Sequence, residues 1–275
     1  MQPPNPARID VIRIKYLFFD VFKKKEMLSR SVIRFIKSLQ LRKYRQQEQS
    51  FVVEGAKSVR EVLHSDFSMQ MLLATGDFLR SVGDIQKPDM RILEVEEKDL
   101  VKVGSFETNN TAVAIVRMPP NKRLGVSGKE TALALDGIRD PGNLGSIIRT
   151  ADWYGIMKII ASNDCVDLYN QKVIQATMGS FLRVAVYYTD LSEYLSSASV
   201  PVLGTFLEGE DLHTFNFGSG CLVVIGNESG GISGSVERHI ISRISIPRFG
   251  KAESLNAAMA TAVVCDNLRR SQKNR

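Results

Sequence analysis

Six short apolar runs alternate with helical patterns after residue 130, and that alternation constrains the fold more than any other feature of the chain. The runs fall at 132–135, 158–161, 184–187, 200–206, 221–225 and 244–246. Helical spacing fills the gaps at 144–154, 170–181 and 191–197, and follows the last run at 255–270. A strand apolar at nearly every position must be covered on both faces. Helices between such strands supply that cover only when the strands run parallel. The second half is therefore predicted to be an α/β domain built on a parallel sheet.

The first half has a different texture. Residues 28–41 place Val32, Ile33, Ile36 and Leu39 on one helical face, with Arg34 and Lys37 off it. Short strands are predicted at 51–53, 70–74, 92–95 and 111–116, with a helix carrying Val59, Val62 and Leu63 after Gly55. This reads as a smaller α/β domain. Between the halves, MPPNKRLGVSGK at 118–129 has the composition of a linker. Residues 1–26 are unlike the rest of the chain, whereas Met27 precedes a clean helical pattern. The expected organisation is a loosely ordered leader (1–26), or a true start at Met27, then a small domain (27–117), a linker (118–130) and the parallel-sheet domain (131–275).

Charge separates the parts as well. Residues 8–45 hold twelve Lys and Arg against three acids, a net of +9 in a chain whose total is +6. A basic region on a near-neutral body points to a polyanion partner, RNA or DNA ahead of a membrane. No apolar run approaches the ~20 residues that a membrane-spanning helix needs. The segment 11–22 is broken by Arg13, Lys15 and Asp20 and lacks a cleavage site, so a signal peptide is not expected. Three scattered cysteines (Cys165, Cys221, Cys265) without metal spacing read as small buried hydrophobes in a reducing compartment, and no metal site is expected. His64, His213 and His239 lack ligand spacing too. The motifs GxGxxG after a first strand, GxxxxGK[ST] and GxSxG are all missing, which weakens dinucleotide, P-loop and serine-hydrolase readings.

Three segments combine glycine with polar side chains just beyond a strand, where open α/β sheets bind ligands. In DGIRDPGNLGSIIRTA (136–151), Pro141 and Gly142 make a turn and Asn143 is a credible N-cap. Ile147, Ile148 and Ala151 form the buried stripe of the helix, with Arg149 projecting away from it. In CLVVIGNESGG (221–231), a buried strand ends at Gly226, Asn227 and Glu228. In RISIPRFGKAESLNAAMATA (243–262), Ser254 stands where an N-cap would. Leu255, Ala258, Met259, Ala262 and Val263 give the following helix a slim apolar face.

Together these segments resemble the SpoU (TrmH) family of RNA ribose 2′-O-methyltransferases, within the SPOUT class. The resemblance rests on N-L-G-x-x-x-R-T-A at 143–151, I-G-N-E-x-x-G at 225–231, and I-P followed by S-L-N at 246–256. It covers roughly 133–270. The first half is similar to the small substrate-binding domain of some members, through R-K-Y-R…F-V-V-E-G at 42–55. Asn109, Asn110 and Thr111 stand where relatives tend to have a Pro-Gln-Gly-like turn.

The resemblance implies S-adenosylmethionine as methyl donor, held in a C-terminal trefoil knot by Gly204, Thr205, Gly226, Ile246 and Leu255. It also implies a polar catalytic cluster of Asn143, Arg149, Glu228, Ser254 and Asn256. The expected partner is RNA, large-subunit 23S ribosomal RNA ahead of transfer RNA, contacted by Arg34, Lys37, Arg42, Lys43 and Arg45. A cytoplasmic homodimer formed through the knotted domain is expected. The competing class is a non-catalytic RNA-binding assembly factor that keeps the fold; calorimetry with S-adenosylmethionine separates the two.

Overall fold

The computed structural model describes residues 28–83, 87–105 and 110–273, so the expectation for the leader lies outside the described residues. These residues form two compact units, dividing between Arg117 and Met118.

In the first unit, α1 (Arg30–Ser38) starts behind Ser29, whose hydroxyl accepts a hydrogen bond from Val32 N at 3.3 Å. It buries Ile36, and Leu39 follows, in a core with Leu73, Leu93, Leu100 and Ile115. The single helix expected to reach residue 41 ends at Ser38, and α2 (Arg42–Glu48) follows as a separate turn pair. Arg45 satisfies this break and gives the first correction. It is 3% exposed, and its Nη1 donates to the carbonyls of Leu39 (3.0 Å) and Gln40 (2.8 Å). A guanidinium satisfying the carbonyls left over at a helix end is a structural group and presents nothing to RNA. Then come β1 (Ser50–Glu54), α3 (Ala56–Leu63), β2 (Met69–Ala74), α4 (Gly76–Val82), β3 (Arg91–Glu94), α5 (Glu97–Val103) and β4 (Ala112–Arg117). The sheet order is β1-β4-β2-β3, antiparallel except between β2 and β3.

The second unit carries β5 (Thr131–Leu135), α6 (Pro141–Trp153), β6 (Lys158–Ser162), α7 (Gln171–Thr177), β7 (Ala185–Thr189), α8 (Leu191–Ser196), β8 (Val202–Phe206) and β9 (Glu210–Asp211). It ends with β10 (Cys221–Ile225), α9 (Gly234–Glu237), β11 (Ser242–Ser245) and α10 (Ala257–Lys273). The strands lie in the order β7-β6-β5-β10-β8-β11-β9, and each neighbouring pair is parallel. Alternate strand residues Ala132, Ala134, Ile160, Leu222 and Val224 share a core layer with Leu191, Leu195 and Val236. Their neighbours Leu133, Leu135, Ile159 and Val223 are as deeply buried on the opposite face, and α6 packs against α7 and α10. Two covered faces explain why the strands are apolar throughout.

The stretch expected as a linker is bound to this unit. Val126 is buried in the same core layer, and the Tyr194 hydroxyl donates to the Leu124 carbonyl at 2.6 Å. Asn121 pairs with the backbone of Tyr188 on β7: its Nδ2 donates to the carbonyl (2.8 Å) and its Oδ1 accepts from the N–H (3.0 Å). Proline- and glycine-rich composition marks an irregular path, and an irregular path can be as fixed as a strand.

The chain runs outward from β5 to β6 and β7 on one side and lays β10, β8, β11 and β9 on the other. The order thus reverses between β5 and β10. A crevice outside the carboxyl ends of these two strands is where a doubly wound sheet binds its ligand.

Candidate active site

Both strands at the reversal end in glycine-containing loops, and the loops are stitched together. Asn227 Nδ2 donates to the Gly137 carbonyl at 2.7 Å, and the buried Asp136 accepts from Ser233 N at 2.7 Å. Asn227 also folds its own turn, its Oδ1 accepting from Ser229 N (2.9 Å) and Gly230 N (3.1 Å). At Gly226 a side chain would meet the Gly231 carbonyl carbon at 2.4 Å, so only glycine lets this loop close.

The caps differ from those expected, and the difference frees a side chain. Asp140 caps α6, with Asn143 N donating to its Oδ1 at 2.8 Å and Pro141 in the first turn. Asn143 therefore sits one turn inside, and its amide points to other partners. At the far end of the chain, Asn256 rather than Ser254 caps α10, its Oδ1 accepting from Ala258 N (3.0 Å) and Met259 N (3.3 Å). The Asn256 Nδ2 donates to Asn143 Oδ1 at 2.7 Å, and Asn143 Nδ2 donates in turn to Glu228 Oε1. One residue from each of the three polar segments thus joins a single directed chain, Asn256 to Asn143 to Glu228. Asn143 is the middle member, with both ends of its amide used.

Beside this chain opens a cavity of about 790 Å³, within the range of small-molecule sites. Thr205, Gly226, Glu228, Ile246, Ser254 and Leu255 line it. Gly204 does not: a side chain there would strike Ile240 Cδ1 at 2.4 Å and Phe206 Cε2 at 2.7 Å, so this glycine makes room for its neighbours. Arg149 is not in the lining either. It is exposed on α6, and its guanidinium has no hydrogen bond or ion pair among the described residues. Sequence reasoning passed over Phe206, Glu237 and Arg243, which line the cavity from the end of β8, from α9 and from β11. Phe206 and Arg243 carried one signal, their place at the ends of predicted strands, and Glu237 carried none.

The lining fits an S-adenosylmethionine-sized cation. Four carboxylates (Glu208, Glu228, Glu237, Glu253) face it against two guanidinium groups (Arg243, Arg248), an excess of negative charge suited to a sulfonium. Apolar Ile225, Ile246 and Leu255 offer flat surface for a base, and the Gly226–Gly231 turn offers backbone groups.

Comparison with known proteins decides the family. Residues 130–266 match the SpoU rRNA Methylase family, and residues 30–114 the MRM3-like substrate binding domain. Over 236 residues the chain is 31% identical to the 23S rRNA (uridine(2479)-2′-O)-methyltransferase of Streptomyces viridochromogenes, covering 80% of this chain and 79% of that protein. The chain belongs to the SpoU family. It is also 28% identical over 251 residues to the 23S rRNA (guanosine(2553)-2′-O)-methyltransferase of Bacillus subtilis (strain 168), covering 90% of this chain and 99% of that one. Among solved structures, a TrmH-family protein from Porphyromonas gingivalis superposes with a TM-score of 0.82 at 37% identity, over 89% of this chain and 99% of that chain. The AdoMet-bound rRNA methyltransferase from Sinorhizobium meliloti gives 0.81 at 29%, over 89% and 96%. The SpoU family uses S-adenosylmethionine.

In the first unit of this SpoU chain, Arg34, Lys37, Arg42 and Lys43 are exposed, as RNA contacts require, whereas Arg45 is buried. Among the described residues no helix is long and apolar enough to cross a membrane.

Proposed function

We propose that this chain transfers a methyl group from S-adenosylmethionine to a ribose 2′-hydroxyl of 23S ribosomal RNA. The observation that carries the reading is the hydrogen-bonded chain Asn256–Asn143–Glu228 beside a cavity of cofactor size. Thr205, Gly226, Ile246 and Leu255 would hold the cofactor, with Gly204 supporting the wall behind them. When bound, the cofactor supplies a methyl group on a positively charged sulfur, which the ribose 2′-oxygen takes as the sulfonium becomes a thioether.

The chain's own residues position that oxygen. Asn143 is locked by its two neighbours, so Glu228 and Asn256 are fixed relative to each other before substrate arrives, and prealignment is worth up to roughly 7–11 kcal/mol. Ser254 stands exposed at the cavity rim, available to the ribose. Arg149 is a charged group at any physiological pH. It stabilises the developing negative oxygen or grips a neighbouring phosphate, with solvent or phosphate accepting the proton. Arg34, Lys37, Arg42 and Lys43 contribute sequence-independent phosphate contacts.

The same reading includes a homodimer, a trefoil knot and a cytoplasmic location. The exposed Met259 on the outer side of α10 favours pairing of two copies. The insertion of β11 between β8 and β9 favours threading of the segment after it. Three buried free thiols favour a reducing compartment. The experiment is methyl transfer from labelled S-adenosylmethionine to large-subunit RNA of a strain lacking the protein, with the modified nucleotide mapped. Label appearing in transfer RNA and not in 23S RNA would overturn the substrate, and no label in either would overturn the activity.

A further inference from the structure

Three residues that line the cavity, Phe206, Glu237 and Arg243, stand outside the motifs at 143–151, 225–231 and 246–256. Gly204 on β8 lies level with Arg243 on β11. Because Gly204 has no side chain, the ring of Phe206 occupies the space a Cβ would need. Arg243 lies over that ring, its guanidinium carbon 4.3 Å from the centroid. Arg243 Nη2 also donates to Glu237 Oε1, from α9. Phe206, Arg243 and Glu237 all line the cavity, and the charged pair keeps 53% and 37% of its side-chain surface exposed.

An ion pair this exposed adds little to stability, so the arrangement asks for another use. Stacking on an aromatic face fixes the plane of a guanidinium, and a fixed fork loses less entropy when it binds a carboxylate through two N–H groups. Only one of its five N–H donors is used by Glu237 in that bond. The other guanidinium in the lining, Arg248, donates to the Ala252 carbonyl within its own loop. Beside Arg243, Glu237 supplies a negative group at short range. A positive and a negative group side by side match the carboxylate and ammonium of one α-amino-acid end.

We propose that Arg243, held by Phe206 and Glu237, recognises the amino-acid end of the methyl donor. Arg243 takes its carboxylate and Glu237 its ammonium. This rests on the cofactor reading of the same cavity, and deepens it by assigning which residues take the amino-acid end of the ligand.

The test uses calorimetry on the full chain with two ligands that share adenosine and a neutral sulfur. S-adenosylhomocysteine carries the amino-acid end; 5′-methylthioadenosine lacks it. In Arg243→Leu, affinity for S-adenosylhomocysteine is expected to fall about 10- to 100-fold, with methylthioadenosine binding unchanged. Arg243→Gln, which keeps a polar group toward Glu237 without the charge, is expected to show the same selective loss and carries the test if the leucine variant does not fold. Equal weakening of both ligands, or of neither, overturns the inference and leaves the cofactor reading intact. A wild-type protein that binds neither ligand overturns the cofactor reading itself.

Discussion

Asn256 does two jobs with one side chain, and substitution can separate them. Its oxygen caps α10, while its amide nitrogen orients Asn143. Asn256→Ala loses both, so it is expected to lower stability by about 1 kcal/mol and to impair turnover. Asn256→Asp keeps the cap and loses the donor. Its thermal midpoint should match wild type while methyl transfer falls; retained activity would remove the amide from the mechanism. Arg149→Ala, at a site without an internal partner, is expected to cut turnover roughly 10²-fold or more while calorimetric cofactor binding survives. At this scale the three motifs were legible, because their residue types sit at fixed spacing beyond strands. The cap assignments were not. Asp140 and Asn143, like Ser254 and Asn256, are both competent to cap, and only tertiary contacts choose between them. Arg45 was misread for a related reason: a cation among cations looks like surface until the helix end it satisfies is known.

At the scale of elements, small residues decide how closely helices approach. Gly145 lies in α6 where a Cβ would come within 2.4 Å of Ala176 Cβ on α7 and 3.0 Å of the Val173 carbonyl. Gly145→Ala should gain about 1 kcal/mol of helix propensity and lose more to overpacking. The expected net is a destabilisation of about 1 to 2 kcal/mol, read by chemical denaturation; a stabilised variant would show that the helices can part freely. The α10 sequence was harder to read. Its buried stripe is Ala257, Thr261, Val264, Cys265 and Leu268, whereas of the stripe expected from Leu255, Ala258, Met259, Ala262 and Val263, Leu255 precedes the helix, Met259 is 63% exposed and the other three are half-buried. An alanine-rich helix offers little contrast between its faces, so periodicity alone could not assign them. If two copies meet on the outer side of α10, Met259→Arg should shift the protein toward monomer in sedimentation analysis. An unchanged oligomeric state would place the interface elsewhere.

For the molecule as a whole, the parallel sheet followed from strand apolarity and helix alternation; its reversal at β5 and β10 emerged only from the structure. The order β8-β11-β9 did not, since nothing in a local pattern records how a late strand inserts between earlier ones. Stability of the second unit should also respond to acid in a defined way. The Ser162 hydroxyl, donating at 2.6 Å, holds the Asp164 carboxyl below the usual carboxylate range; burial opposes this and Arg139 assists it. A depressed folded-state pKa gives stability that is present above the ordinary value of about 3.9 and lost as pH falls through the lower folded value. The gap in thermal midpoint between wild type and Asp164→Asn should therefore be widest near neutrality and shrink below about pH 4. A gap independent of pH would mean that the carboxylate charge contributes nothing.

The pairing of Asn121 with Tyr188 has a consequence for the protein's behaviour in a crowded solution. A seven-stranded sheet of apolar strands has two open margins, each a template on which another chain could add a strand. On one margin a side-chain amide occupies the Tyr188 N–H and carbonyl, imitating a neighbouring strand that cannot itself be extended. On the other, β9 is only two residues long and offers little to copy. Growth of the sheet is disfavoured at Tyr188 on one margin and by the shortness of β9 on the other, and the segment that reads as a mere connector supplies the first of these two guards.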